Sequence, residues 1–352
     1  MGGVKGSIKL FEIFGISINI HVSFFLLVLL IPLFGIRWVF LITAIFFFVT
    51  VHELCHSLAA RHFGITVHEI TLLPIGGVAA MTKMPEKPSQ ELAIAIAGPL
   101  SNIIILVVFY YPLKYLLGLG VLLHPSTLTW PATIAYVYWM NLMLAGFNLL
   151  PAFPMDGGRV LRALLASKLG YRKATKIAVN FGHVFALIFA YLGIVRSSII
   201  LIVIAIFIYT AASSEEMQVD IKETLKKFRV RDILPRDFFT VRGDTTLGKV
   251  LELIFHSHQE DFPVVDDGKM VGFITRHDII MNIHTFGNGK EVRDIMRSDF
   301  PRVNDTDPLT KAQNVMQENE IRALPVMRAD TAVGVITLED IGRIYSMVSQ
   351  RA

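Results

Sequence analysis

The sequence predicts a polytopic α-helical membrane domain of about six transmembrane helices with a short β-hairpin, followed by a soluble α/β module of two tandem copies. Three observations lead there. Hydrophobic residues make up 53% of the 352 and charged residues 18%, whereas ordinary soluble domains run to roughly 45–50% and about 25%. The apolar excess is confined to residues 17–212, and the remainder reads as a normal charged globular sequence. That remainder carries an internal repeat with a constant offset of 62 residues.

A membrane helix needs about 20 mostly apolar residues. The candidate spans are 17–36, 38–62, 90–113, 129–150, 173–195 and 197–213. Residues 17–36 are long enough to stay in the membrane, and no small-residue cleavage site follows them, so they do not read as a removable signal. Between 63 and 89 the Gly-containing stretch TLLPIGGVAAM reads as a re-entrant β-hairpin, which membrane depth tolerates only against protein or a wet cavity. Lys5, Lys9, Arg61, Lys83, Lys87, Arg159, Arg162, Lys168, Arg172, Lys173 and Lys176 fall on one side of these spans. Only Arg37, Lys114 and Arg196 fall on the other. The basic side is the cytoplasmic one, so the expectation is a multi-pass protein of the cell membrane with both termini in the cytoplasm. The net charge of +4 forms no basic stripe, so no nucleic-acid partner is expected, and the one cysteine, Cys55, excludes an intramolecular disulfide.

Residues 1–213 are thus the membrane domain, 214–228 a polar helical linker, 229–284 the first copy and 285–352 the second. Arg231-Asp232-Ile233 repeats as Arg293-Asp294-Ile295, Pro263-Val264 as Pro325-Val326, and Gly272-Phe273-Ile274-Thr275 as Gly334-Val335-Ile336-Thr337. Each copy reads as amphipathic helix, buried strand, second strand and helix.

The chemistry lies in His52-Glu53-Leu54-Cys55-His56, an H-E-x-x-H run inside the second span. Histidines at i and i+4 share one helix face and lie about 6 Å apart along the axis, within reach of one metal at about 2.0–2.1 Å. Glu53 beside them is placed to act as general base on a water at that metal. Ionisable groups carried into lipid are costly and mark function. A catalytic zinc site has three protein ligands and an open position, and the candidate third ligand is Asp156, at the boundary after the fourth span. Taken alone, Asp156 also reads as a cap for the helix that follows. Cys55 points about 100° away from His56 on the helix and reads as packing. The remaining histidines of the domain stand singly.

HELCHSLAARHFGI, LLPIGGVA, AGPLSN and FNLLPAFPMDGGR together closely resemble the site-2 proteases, and the tail resembles paired CBS domains. The resemblance covers nearly the whole chain. It implies an intramembrane zinc endopeptidase that cuts transmembrane helices of membrane-protein substrates, with one zinc on His52, His56 and Asp156 and Glu53 as base. It implies Asn148 as an oxyanion-holding residue close to the metal, with Asn102 a weaker candidate for the same wall. In the tail it implies an adenine nucleotide (AMP, ADP or ATP) bound through Thr275 with Asp278 and Thr337 with Asp340. There the alternative is that these residues only cap helices and the pair serves as a homodimerisation module. Two other functions compete: a transporter or channel regulated by its tail, which predicts ionisable residues spread along a pathway, and a non-catalytic metal-binding scaffold, which would tolerate loss of Glu53.

Overall fold

The computed structural model describes residues 6–24, 35–74, 76–81, 85, 87–235, 237–257 and 259–349. Lys5, Lys83 and residues 25–34 of the expected first span lie outside them. The chain divides into two compact units, Met1–Val219 and Asp220–Ala352.

The first unit opens with strands β1 (Ser7–Ile13) and β2 (Ile16–His21). Helix α1 (Ile36–His62) follows, then β3 (Val67–Leu73) and β4 (Gly76–Met81). The sheet order is β1-β2-β3-β4, with β2 and β3 parallel and the other two pairs antiparallel. Parallel strands need a crossover, and α1 lies within it. Ile16, Ile18, Ile70 and Leu72, on one sheet face, bury against Phe46, Val49 and Leu54 of α1. The expected hairpin is β3–β4, set in a larger sheet.

The expected first span is corrected at its start: residues 17–21 are strand, and Val22–Phe24 form a short 3-10 turn. The cause is visible in the alternation of Ile16, Ile18 and Ile20 with Ser17, Asn19 and His21. That is the period of a half-buried strand.

The remaining elements of this unit are helices. They are α2 (Pro88–Leu117), the short α3 (Leu119–Leu123), α4 (Trp130–Asn148), α5 (Asp156–Leu169), α6 (Tyr171–Val195) and α7 (Ile199–Leu225). Among the described residues four helices are long and apolar enough to cross a membrane: α1, α2, α6 and α7. Helix α4 has 19 residues but is not among them. Their outer faces expose Val107, Val108, Leu187, Tyr191, Ile199 and Ile200, the apolar surface that lipid would cover. In the expected linker 214–228, residues up to Leu225 are helical as the end of α7, and the unit boundary falls inside that helix.

The second unit contains α8 (Leu247–His256), β5 (Phe262–Asp266), β6 (Lys269–Ile274) and α9 (Arg276–Phe286). It continues with β7 (Val303–Asn304), α10 (Leu309–Glu318), β8 (Ala323–Arg328), β9 (Thr331–Thr337) and α11 (Leu338–Ser349). The copies exchange their leading segments. Arg229 bridges to Pro308, and Thr246 to Glu291. The amides of Val230 and Val292 donate to the carbonyls of Asp307 and Thr245. Each relation recurs at the 62-residue offset, so the unit has an internal two-fold.

Phe273 is fully buried in the core of this unit, with its ring 4.5 Å from that of Phe300. Phe273→Ala should therefore cost about 3–5 kcal/mol. The measurement is the urea midpoint of a 220–352 fragment, and an unchanged midpoint would remove Phe273 from the core.

Candidate metal centre

The centre is assembled by three helices. Helix α1 presents His52 and His56 one turn apart, both 3% exposed. Helix α5 begins with Asp156, and α2 packs against both. His52 Nε2 lies 3.0 Å from Asp156 Oδ2, His56 Nε2 lies 3.1 Å from it, and the two Nε2 atoms are 3.1 Å apart. These are the three ligand atoms that could hold one metal ion.

The protons of the two imidazoles are fixed from the other side of each ring. His52 Nδ1 sits 2.8 Å from Asn102 Oδ1, and His56 Nδ1 sits 2.6 Å from the carbonyl of Ile94. Both partners are carbonyl oxygens, which only accept, so both rings donate from Nδ1 and each neutral ring keeps a lone pair on Nε2. The orientation of Asn102 is set in turn. Its Nδ2 donates to Asn141 Oδ1 at 2.7 Å, and Asn141 Nδ2 donates to the Asn102 carbonyl at 3.0 Å.

In the neutral rings two nitrogen lone pairs and a carboxylate oxygen therefore converge on one point, an arrangement suited to a cation. Tetrahedral zinc with bonds of about 2.0–2.1 Å has its ligand atoms about 3.3–3.4 Å apart, against 3.0–3.1 Å here. The donor set fits zinc: two imidazoles and a carboxylate, with outer partners that orient both rings.

The approach of α2 depends on Gly98. A Cβ there would overlap His56 Nε2 and come within 2.7 Å of His52 Nε2. Glu53 is half-buried, and β4 crosses directly over it, since a Cβ on Gly77 would lie 2.6 Å from Glu53 Cγ. Hydroxyls near the site bond back to their own helix, Thr50 Oγ1 to the Phe46 carbonyl and Ser57 Oγ to that of Glu53. Polar side chains at membrane depth are thereby satisfied locally.

The sequence-predicted residues thus separate. His52, His56 and Asp156 come together. Asp156 does not act as a cap: the N-cap is Met155, and the Asp156 carboxylate is turned to the histidines. Asn102 belongs to the site as the acceptor that orients His52. Asn148 ends α4, half-buried, and the hydrogen bonds of the His–Asp cluster do not reach it. Asn141 was not anticipated. Its signal was available, as a buried amide inside an apolar helix.

In the second unit, Thr275 and Thr337 start α9 and α11 in the same way. Each Thr hydroxyl donates to its Asp Oδ2 at 2.7 Å, and each Asp amide returns a bond to the hydroxyl, at 3.2 Å for Asp278 and 3.1 Å for Asp340. The copies differ at the second carboxylate oxygen. Arg297 Nη2 donates to Asp278 Oδ1 at 2.8 Å, while the position 62 residues before Arg297 is Pro235, which has no donor to offer Asp340. Burial pushes the Asp278 carboxyl up, but the bonds from Arg297 and Thr275 outweigh it and hold the group below the usual carboxylate range.

Residues 40–189 match the family model of peptidase family M50, and residues 230–285 and 292–346 each match that of the CBS domain. A zinc metalloprotease of Methanocaldococcus jannaschii is 37% identical over 361 residues, covering 97% of both chains. A solved site-2 protease from the same organism is 44% identical over 60% of this chain and 95% of its own, with a TM-score of 0.47. A CBS domain pair solved with 5′-methylthioadenosine and S-adenosyl-L-methionine is 25% identical, covers 34% of this chain and 98% of its own, and has a TM-score of 0.33.

Loss of the His52 acceptor should weaken metal binding without removing a ligand. Asn102→Ala is expected to lower zinc affinity about 10–100-fold, read by chelator competition on the purified protein. Gly98→Ala, which drives a methyl into both rings, is expected to abolish stoichiometric zinc. Wild-type affinity in both variants would show that α2 does not orient the histidines.

Proposed function

The chain belongs to peptidase family M50, the site-2 proteases, as a membrane zinc metalloprotease with a C-terminal CBS pair, and on that premise we propose that it cuts transmembrane helices of membrane-protein substrates at the His52–His56–Asp156 centre. The observation that carries this reading is the pair of Nδ1 donations that leaves both Nε2 lone pairs facing the Asp156 carboxylate.

His52, His56 and Asp156 would hold the zinc, which lowers the pKa of a water it binds to about 7 and polarises a carbonyl. Glu53, next to His52 on the same helix, takes the proton of the attacking water and passes it to the leaving amine. Asn148 is the proposed donor to the oxyanion. A substrate helix must unwind before its peptide bond is accessible. Strand β4 ends the sheet order and lies against Glu53 at Gly77, so the unwound segment would add to it as a further strand. The charge bias supports cytoplasmic termini and a site reached from that side. A transporter needs ionisable groups strung along a path, whereas here the buried histidines and Asp156 converge on one point.

The CBS pair is proposed to bind an adenine nucleotide and to set access to the site, through a ligand that favours one state of the protease over another. In this reading the segments are unequal. Asp278 has both oxygens engaged by Thr275 and Arg297, while among the described residues Asp340 is bonded through Oδ2 to Thr337, which would leave Oδ1 for a ribose hydroxyl. The pair is also the proposed surface for homodimerisation.

Two outcomes follow. Glu53→Gln should retain zinc and lose cleavage of a transmembrane model substrate by about 10²–10⁴-fold or more; near-normal cleavage would favour a metal-binding scaffold. For the tail, a nucleotide at a hundredfold excess over Kd should stabilise the 220–352 fragment by about 2.7 kcal/mol, seen as a raised Tm with AMP, ADP or ATP. Asp340→Ala should remove most of that shift and Asp278→Ala little. The absence of any shift at millimolar nucleotide would return the tail to a dimerisation role.

A further inference from the structure

Arg162 is a buried charge that the cleavage chemistry leaves unused. It lies on α5 and is 3% exposed. Its Nε donates to Glu91 Oε1 at 2.7 Å and its Nη2 lies 2.5 Å from the same oxygen. Its Nη1 donates to Glu215 Oε1 at 2.7 Å. The guanidinium carbon lies over two rings, 4.6 Å from the centroid of Phe153 and 4.8 Å from that of Tyr171. The Tyr171 hydroxyl completes the set by donating to Glu91 Oε2 at 2.8 Å.

The placement of these partners gives the cluster its meaning. Glu91 is in the first turn of α2, three residues before Ile94, whose carbonyl orients His56, and seven before Gly98, against which both histidines rest. Phe153 lies three residues before Asp156, is 1% exposed, and has its amide bonded to the Ala178 carbonyl of α6 at 3.2 Å. One side chain therefore holds the helix that orients the histidines and the loop that delivers the carboxylate. Glu215 adds α7, the helix in which the boundary of the second unit falls. A planar fork that serves two carboxylates and stacks on aromatic faces is what arginine provides and lysine does not.

We infer that Arg162 is a positioning residue for the metal centre: it fixes Asp156 against His52 and His56, and Glu215 is the point at which α7 acts on that fit. The inference rests on Asp156 being a zinc ligand. Arg162 reaches the ligands through Phe153, three residues before Asp156, and through Glu91, three residues before the Ile94 carbonyl that orients His56, and groups that orient metal ligands tune affinity. Buried polar networks of this kind hold their geometry only while every member is paired.

The test uses the full-length protein in detergent, as Arg162→Lys, Glu215→Gln and Asp156→Ala variants. Zinc affinity is read by chelator competition, ligand geometry by the visible spectrum of the cobalt-substituted protein, and folding by Tm. The expected result is a roughly tenfold loss of zinc affinity and a changed cobalt spectrum in Arg162→Lys and Glu215→Gln, in protein that still melts cooperatively. A role confined to packing would lower Tm and leave the spectrum and the affinity as they are, and that result overturns the inference. Should Arg162→Lys fail to fold, Glu215→Gln decides alone, since it keeps the shape of the side chain. If Asp156→Ala itself leaves zinc affinity unchanged, the ligand assignment falls first and the positioning role with it. A normal effect of Asp156→Ala beside silent Arg162 and Glu215 variants removes only the positioning role.

Discussion

The first unit depends on the contact between α1 and α2 at Gly98. Two imidazoles on an apolar helix would be costly in lipid unless every polar atom had a partner. Helix α2 supplies those partners from its backbone and from Asn102, and it can do so only by lying so close that no side chain fits between. The same contact fixes the tautomer of both rings. The packing of two helices and the readiness of the nitrogens to take a metal are one constraint.

The sheet answers to that constraint from the other side of α1. Because β2 and β3 are parallel, α1 lies in their crossover and its apolar face is committed to Ile16, Ile18, Ile70 and Leu72. That leaves the turn carrying His52 and His56 for α2 and α5, and it brings β4 over Glu53. The closeness of Gly77 to Glu53 follows from this layering. A larger residue there would push the strand off Glu53.

Much of this was legible in the sequence. The i, i+4 spacing placed both histidines on one face, and the need for a third ligand singled out Asp156 although 100 residues separate it from His56. The 62-residue offset disclosed the second unit and its strands. Other features were hidden for physical reasons. The alternation in Ile16–His21 was masked by the apolar run that follows it, so a strand was taken for the start of a helix. Arg162 looked like one more cytoplasmic cation, because nothing local to it reveals that Glu91 and Glu215, 71 and 53 residues away, meet it in the interior. Asn102 reads in the sequence as a weaker candidate for the oxyanion wall, and only the fold shows that its Nδ2 donates to Asn141 while its Oδ1 accepts from His52 Nδ1.

The tail shows how a repeat keeps its fold while its sites diverge. The exchanged leading segments recur at the offset because backbone groups make those bonds, whatever the side chains. Side chains at equivalent positions have changed in concert. In the first copy the Gly243 amide donates to Asp266 Oδ1 at 3.2 Å; in the second, Asp305 stands in place of Gly243 and pairs with Arg328, which stands in place of Asp266, at 2.8 Å. The same junction is held once by an amide and once by an ion pair. The exchange of Pro235 for Arg297 is of this kind: Arg297 donates to Asp278, and Pro235 offers Asp340 no such donor. Backbone symmetry alone therefore does not make the two Thr–Asp segments chemically equivalent.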